Sequence, residues 1–496
     1  MSAQDYVVFQ GRLSQLAARI DAGEFVPKLQ SSHSPPCKFW TAFAVINGIA
    51  HAVPIIHGPT GCTYSVASDF KLTSCEYRGM PMVPTTCTRM DESSVVYGGE
   101  VKLTQAIDEA VAKYKPQLVV VLSCCCPGIS GDDVEMVAHE AGRRHNLEIL
   151  AVRSEGFGGD FRSGHEDAFR ALMELMQPPT EEGRLEQSVN ILGARIGPTY
   201  TERKQDLDEL LRILKDLDIG VNAVIAGGCT LEELRRAPQV AMNTSWCYDW
   251  GMKIGELMEE RFGVPFSRTG LPYGLEATRR WVMGVAEPLG LAPAAEDYIE
   301  KETDRISKSL DTCRHLLKGR TALIEVAEFP GPIRALAMAK MVEEFGARAV
   351  VVNFHPYTVK ERRPTVDFLI SQGEDPELVL TQGLFSLGTF EASSDTEQEM
   401  RRLVATYDEA IYFGVPNRFP GVPVVNLTSE LGMPQFGFTG ITKIARMVKS
   451  AVDQHHRPRS RLFRHVLYGQ DNDAHAAGCP HRRRKGIERS ESTDEQ

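Results

Sequence analysis

This chain has few features that would place it in the simplest classes. Eleven cysteines in 496 residues are too sparse for a disulfide scaffold. Basic residues are outnumbered, 55 against 66 acidic, for a net charge of -11. That balance argues against a chain whose main task is to grip nucleic acid. No long apolar run is uninterrupted. The strongest, Phe39 to Gly58, contains Asn47, His51, Pro54 and His57 and reads as a buried helix running into a strand. The start, MSAQDYVVFQGR, lacks the basic and apolar regions of a secretory signal. A cytoplasmic protein with reduced thiols and no membrane segment is expected. There is no G-x-x-x-x-G-K-[ST], so the chain is not expected to hydrolyse ATP through a P-loop.

What is present is a repeated alternation. Short runs rich in Val, Ile and Ala, without polar alternation, predict strands covered on both faces. They fall at Leu118–Leu122, Ile149–Val152, Asn190–Ile196, Val221–Ala226, Ala322–Val326, Ala349–Asn353, Ala410–Phe413 and Val422–Asn426. Amphipathic helices are predicted between them, including Leu103–Tyr114, Val134–His145, Arg203–Leu217, Trp250–Phe262 and Ile333–Phe345. The order predicts an α/β fold of three doubly wound domains with parallel sheets. An acidic, Pro-containing stretch at Gln177–Gln187 and a helical one at Ala294–Gly319 divide the chain. The predicted domains are 1–188, 189–319 and 320–455. Residues 456–496 hold nine Lys/Arg against six Asp/Glu, with HRRRK at 481–485, and read as a polar, disordered tail.

Cysteine placement is uneven: seven of the eleven lie in the first 126 residues. Cys37, Cys62 and Cys87 are spaced 25 apart, and Cys125 lies 38 further on. Such spacing does not suit the short pairs of a zinc ribbon. It suits separate loops converging on one object. Cys62 ends the turn HGPTGC, and Cys125 follows the strand QLVVVLS. Thiolates are the ligands of iron–sulfur clusters. Cys37, Cys62 and Cys125 are therefore the candidate set. The competing reading, small buried residues, fits each cysteine taken alone. Cys247 opens a predicted helix, where the dipole and exposed N–H groups stabilise a thiolate.

The blocks CKFWTAFAVINGIAHAVPIIHGPTGC, VVYGGEVKLTQAI and KPQLVVVLSCCCPGISGDD resemble the nitrogenase component 1 family. The resemblance runs from about Cys37 to Val448. It implies that Cys37, Cys62 and Cys125 hold a P-cluster-type or [4Fe–4S] cluster shared with a homologous β-type subunit in an α2β2 assembly. Counting back from Gly131–Asp132–Asp133 selects Cys125 over its neighbours, and Cys87 is a further candidate. Cys247, with Gly263–Val264–Pro265 sixteen residues on, resembles the α-type cysteine that holds a large iron–sulfur cofactor. LPYGLEATRRW at 271–281 is the one β-like trait. In VRSEGFGGDFRSGH, His165 takes the place of the histidine that faces that cofactor and donates a proton; the bland reading is a surface histidine.

The departures from the family carry weight. The block VVNLTSELGMPQFGFTG at 424–440 has no histidine where nitrogenase α subunits bind the capping metal. The basic residues around homocitrate are not evident. An all-iron cluster is therefore expected, with His355 in NFHPYT as a candidate second ligand. A separate ATP-hydrolysing iron protein is the implied electron donor. A chain with the cofactor cysteine and without the cofactor histidine resembles the methylthio-alkane reductases, which cleave C–S bonds in small thioethers. The alternatives are the α-like scaffold of cofactor assembly, dinitrogen reduction and tetrapyrrole reduction.

Overall fold

A computed structural model describes residues 7–24, 37–71, 85–194, 200–325, 332–352, 354, 356–381, 402–414, 421–426 and 435–456. The strands in chain order are β1 (Val7–Arg12), β2 (Ala52–His57), β3 (Thr86–Cys87), β4 (Leu118–Ser123), β5 (Ile149–Arg153), β6 (Leu185–Leu192) and β7 (Gly220–Val224). They continue with β8 (Val240–Ser245), β9 (Thr321–Ile324), β10 (Arg348–Val352), β11 (Glu377–Thr381), β12 (Ala410–Gly414) and β13 (Val424–Asn426). They form three sheets, ordered β3-β2-β4-β5, β7-β6-β8 and β1-β11-β10-β9-β12-β13. Every pairing is parallel except β1 with β11.

Side-chain alternation explains why these apolar runs are strands. Along β4, Leu118, Val120 and Leu122 face a core containing Phe39, Phe43 and Phe169. Val119 and Val121 face the opposite side, against Leu103, Ile107 and Val137. The third sheet divides the same way. Ala322, Ile324, Val351, Leu378 and Phe413 face inward, while Leu323, Val350, Val352 and Tyr412 face a separate outer cluster. The inner faces of all three sheets share one continuous core. A strand with an apolar layer on both faces has no room for polar alternation.

Two features of the fold lie across the expected boundaries. β1 does not belong with the segment reaching to residue 188. It runs antiparallel along the outer edge of β11, in the sheet of the third unit. Arg12 donates to the Asp375 carbonyl at 2.9 Å, and Ser14 binds the Asp375 carboxylate. An otherwise open sheet edge is paired in this way. The boundary expected at 188/189 lies inside β6, which begins at Leu185. The helical stretch expected at Ala294–Gly319 is a 26-residue helix, Ala292–Leu317. It packs along the last described helix, Gly437–His456. Nearly all of the expected tail lies outside the described residues. Among the described residues, no helix is long and apolar enough to cross a membrane.

Candidate metal-cluster sites

The first sheet gathers the early cysteines at the carboxyl ends of its strands, where parallel sheets bind ligands. Cys62 lies in the first turn of helix Thr60–Lys71, just after β2. Cys87 ends β3, beside Ile56 of β2. Cys125 opens helix Cys125–Ser130 after β4. Gly156, after β5, donates its N–H to Cys125 Sγ at 3.2 Å. Cys37 arrives from another direction, as the N-cap of helix Lys38–Ile46. That helix is pressed onto helix Phe161–Met173. A Cβ on Gly164 would stand 2.0 Å from the Lys38 carbonyl oxygen, so only glycine allows this approach. Gly156 lies against both sets: a Cβ there would be 3.5 Å from Cys125 Sγ and 3.5 Å from Cys37 Cβ.

Electrostatics carries the same convergence. Burial pushes the Cys37 thiol up; Trp40 and Phe39 N–H groups oppose this, and Cys62 and Cys125 add to it. A hydrogen bond with Cys124 brings Cys62 down to about 7 against the effect of burial. Cys37 and Cys125 are exposed, and Cys62 and Cys87 half-buried. Among the described residues, no three Cys, His, Asp or Glu side chains stand close enough to hold a single metal ion. A cluster gives each iron its own thiolate and so asks for wider spacing. Exposed thiols on a sheet edge, one accepting a backbone N–H, fit a cluster shared with another chain.

Two residues behind these cysteines were not singled out in the sequence. His57, fully buried, shares a hydrogen bond of 2.9 Å with Asp132. Its other ring nitrogen lies 3.1 Å from Thr88 Oγ1. Asp132 also accepts from Gly99 N–H at 2.9 Å and from Ser130 at 2.8 Å. Burial lowers the His57 pKa, and the Asp132 hydrogen bond pulls it back up. This network joins HGPTGC, VYGGE and GDD, three blocks far apart in sequence. The His of HGPTGC and the Asp of GDD were visible in sequence, but no spacing there pairs them.

Around them lies exposed apolar surface. Among the described residues, all the large exposed apolar side chains but Val8 fall between 64 and 157: Tyr64, Val95, Val96, Tyr97, Val101, Ile129, Met136 and Phe157. Such concentrations mark interaction surfaces.

Cys247 stands elsewhere, as the N-cap of helix Tyr248–Phe262 after β8. Its thiol makes no capping hydrogen bond. Its carbonyl accepts from Gly251 N–H at 2.8 Å and Trp250 N–H at 3.1 Å. Gly193, with φ +78°, lets the end of β6 approach: a Cβ there would stand 2.3 Å from the Cys247 carbonyl oxygen. The next turn brings all three units together. Asp249, wholly buried, binds Arg162 of the first unit at 2.6 Å and Arg362 of the third at 2.7 Å. Glu361 lies in the same charged group. Burial, only partly offset by Arg362 and Arg162, pushes its carboxyl up to about 7. His165 is buried, not superficial, and its ring lies 4.9 Å from that of Trp250. Three buried side-chain atoms in this neighbourhood lack a hydrogen bond: Ser245 Oγ, Arg162 Nε and Glu361 Oε1. Buried polar groups are normally satisfied, so this concentration calls for an absent occupant or water. With the uncommitted thiol and two guanidiniums, the residues fit an anionic cluster. His355 lies outside the described residues.

The matches to known proteins agree with this layout. Residues 37–453 match the model of the nitrogenase component 1 type oxidoreductases. The chain belongs to that family. Relatives of this component 1 chain include the nitrogenase iron-molybdenum cofactor biosynthesis protein NifE of Clostridium pasteurianum. It is 30% identical over 64% of this chain and 67% of its own length. Another is the nitrogenase molybdenum-iron protein alpha chain of Methanothermobacter marburgensis, 26% identical over 84% of this chain and 87% of its own. A solved nitrogenase, titled "Nitrogenase Cp1 at pH 6.5", shares the fold with a TM-score of 0.63 at 22% identity, covering 88% of this chain and 92% of that one. Component 1 oxidoreductases carry P-cluster-type and cofactor-type iron–sulfur clusters and work with a β-type subunit and an iron protein.

Proposed function

We propose that this chain is the cofactor-bearing α-type subunit of a nitrogenase-like reductase that cleaves C–S bonds in small methylthio-alkanes. Cys247 would hold a large, all-iron cluster. Cys37, Cys62 and Cys125, with Cys87 as a further thiol, would hold the cluster shared with a β-type partner in an α2β2 assembly. An ATP-hydrolysing iron protein would supply electrons, consistent with a sequence that has no P-loop. The observation that carries the reading is the buried His165 ring against Trp250, three residues after Cys247.

A reduced iron–sulfur cluster supplies the electrons that no side chain can. The chain's own residues supply the rest. The reaction R–S–CH3 + 2 e⁻ + 2 H⁺ → R–H + CH3–SH consumes two protons. An imidazole exchanges protons near neutral pH, so His165 suits one of these transfers. Trp250 fixes the ring's position. Arg162 and Arg362 favour an anionic occupant, while Asp249 offsets one of their charges. The block at 424–440 has no histidine, which favours an all-iron cluster over one capped by a histidine-bound heterometal.

The purified complex, mixed with its iron protein, ATP and a thioether, is assayed by gas chromatography. Hydrocarbon and methanethiol in equal amounts support the reading. A bound cluster with no turnover of thioether, dinitrogen or proton would replace it with the scaffold reading. That second reading is favoured by the 30% identity to a cofactor biosynthesis protein.

A further inference from the structure

The His57–Asp132 pair lies behind the cysteine edge, and the chemistry proposed above makes no use of it. His57 ends β2, just before the turn that leads to Cys62, and Asp132 follows the helix that Cys125 opens. His57 is fully buried and Asp132 nearly so. Asp132 Oδ2 lies 2.9 Å from His57 Nε2 and also accepts Gly99 N–H at 2.9 Å. A carboxylate can only accept, so Nε2 carries the proton. In the neutral ring Nδ1 is then an acceptor, and Thr88 Oγ1, 3.1 Å away, donates to it. Burial, which lowers the His57 pKa, agrees with a neutral ring. Thr88 Oγ1 accepts in turn from Gly58 N–H at 3.0 Å. The bonds therefore run in one direction, from Gly58 through Thr88 and His57 to Asp132.

Each member of this chain of bonds holds a different segment. Gly58 starts the turn into the Cys62 helix, and its carbonyl accepts from Met90 N–H at 2.9 Å. The His57 carbonyl accepts from Cys124 N–H at 2.9 Å, at the N-cap of the Cys125 helix. Asp132 Oδ1 accepts from Ser130 Oγ at 2.8 Å, at the far end of that helix. Gly99 brings in the surface, since it stands between helix Glu92–Tyr97 and helix Glu100–Tyr114. A Cβ there would stand 2.7 Å from Asp132 Oδ2 and 2.8 Å from His57 Cε1, so the corner is seated directly on the pair. Glu100 ties it a second time, accepting Asp133 N–H at 2.9 Å. The exposed Val96, Tyr97 and Val101 flank this corner.

We propose that His57 and Asp132 are positioning residues for the interface cluster, tying the Cys62 turn and the Cys125 helix to the apolar corner at Tyr97 in one frame. A partner seated on that corner then meets thiols already set for the shared cluster. This rests on the reading of Cys62 and Cys125 as cluster ligands. Neither residue touches the cluster; each acts through the segments it holds. Supporting hydrogen bonds behind the ligands of a metal site fix their orientation and tune the metal. A buried carboxylate that accepts from an imidazole, a hydroxyl and a backbone N–H is a rigid tie, because losing any donor leaves charge unsatisfied away from water. Gly99 makes the tie reach the surface: a change at the corner presses on Asp132 and His57 before it reaches any cysteine.

The test uses the full chain co-purified with its partner subunit. His57→Leu, His57→Gln and Gly99→Ala are compared with the unaltered protein by electron paramagnetic resonance of the interface cluster and by amide hydrogen exchange. His57→Leu removes both ring hydrogen bonds, and Gly99→Ala pushes the pair from the side of the corner. Both should change the cluster's spectrum and speed exchange at Gly58 and Cys124 about tenfold, the effect of losing one charge-assisted hydrogen bond. His57→Gln keeps an N–H for Asp132 and should restore most of the original spectrum. If His57→Leu does not fold, Gly99→Ala decides, because it alters no bonding group and lies away from every cysteine. An unchanged spectrum in Gly99→Ala overturns the proposal. So does a His57→Gln spectrum as altered as that of His57→Leu, which would make the ring's bulk the only thing that matters. An unaltered complex with no interface cluster refutes the ligand reading instead, and this proposal with it.

Discussion

Asp249 and Arg362 form an ion pair at 2.7 Å in which both side chains are almost wholly buried, 1% and 2% exposed. Arg162, 23% exposed, closes on the other carboxylate oxygen at 2.6 Å. Burying charge is costly, and removing one partner leaves the other uncompensated. Asp249→Asn would leave two guanidiniums without their counter-charge at the meeting point of three units. It should destabilise the fold by about 3–5 kcal/mol in denaturant unfolding. Adding Arg362→Met removes the more deeply buried charge and should recover part of the loss. A double variant less stable than Asp249→Asn alone would show that Arg362 is held by packing and not by charge.

Cys247 is two residues from that carboxylate, and its thiol is not spent on capping the helix. Cys247→Ala should therefore fold normally, because no hydrogen bond of the helix start is lost. Its expected effect is on metal: the large cluster's iron is lost while the interface cluster's spectrum persists. Iron analysis with electron paramagnetic resonance on the purified complex measures both. Unchanged iron would remove Cys247 from the ligand set.

Much of this layout could be read from the chain, and the reason is periodicity. β4 and the helix Val134–His145 were visible because each is long enough to show its pattern and is covered as that pattern requires. β1 escaped because its burial alternates only weakly, with Phe9 its one fully buried residue, and its partner lies more than 360 residues away. The cysteine sites were legible as a set of turns, since each thiol follows a strand or opens a helix. The Arg162–Asp249–Arg362 group was not. Its members come from three separate segments, and an arginine's partner across a domain junction leaves no spacing in sequence. Cys124 was set aside in favour of Cys125, because counting from Gly131 tells which cysteine is at the edge but not what its neighbour touches.

The apolar residues around the interface cysteines should behave as a binding surface. Ile129 is 72% exposed, Tyr97 86% and Phe157 64%, and water has no use for any of them. Interface cores of this kind lose affinity sharply when a charge is placed in them. Ile129→Glu and Tyr97→Glu should leave the isolated chain as stable as before, within about 0.5 kcal/mol, since exposed positions carry little packing energy. They should weaken assembly with the β-type partner at least tenfold in analytical ultracentrifugation. Full assembly in both variants would place the partner on another face.

Glu374 gives a prediction about pH. Its side chain is 1% exposed and lies 3.7 Å from Arg280. Burial pushes its carboxyl from the ordinary 4.5 up to about 7, opposed only partly by Arg280 and Lys340. A carboxyl whose pKa is higher folded than unfolded binds its proton more tightly in the folded state. Its contribution to stability is full below about 4.5 and is lost as pH rises through about 7. The ionised form is thus the destabilising one at pH 8. Glu374→Gln keeps the shape and removes the charge, so it should stabilise the protein at pH 8 by ~1–3 kcal/mol. The gain should shrink toward pH 4.5. Thermal unfolding of both proteins across that range measures it. A gain that is the same at every pH would mean that Glu374 stays in one protonation state throughout, with its charge held by Arg280.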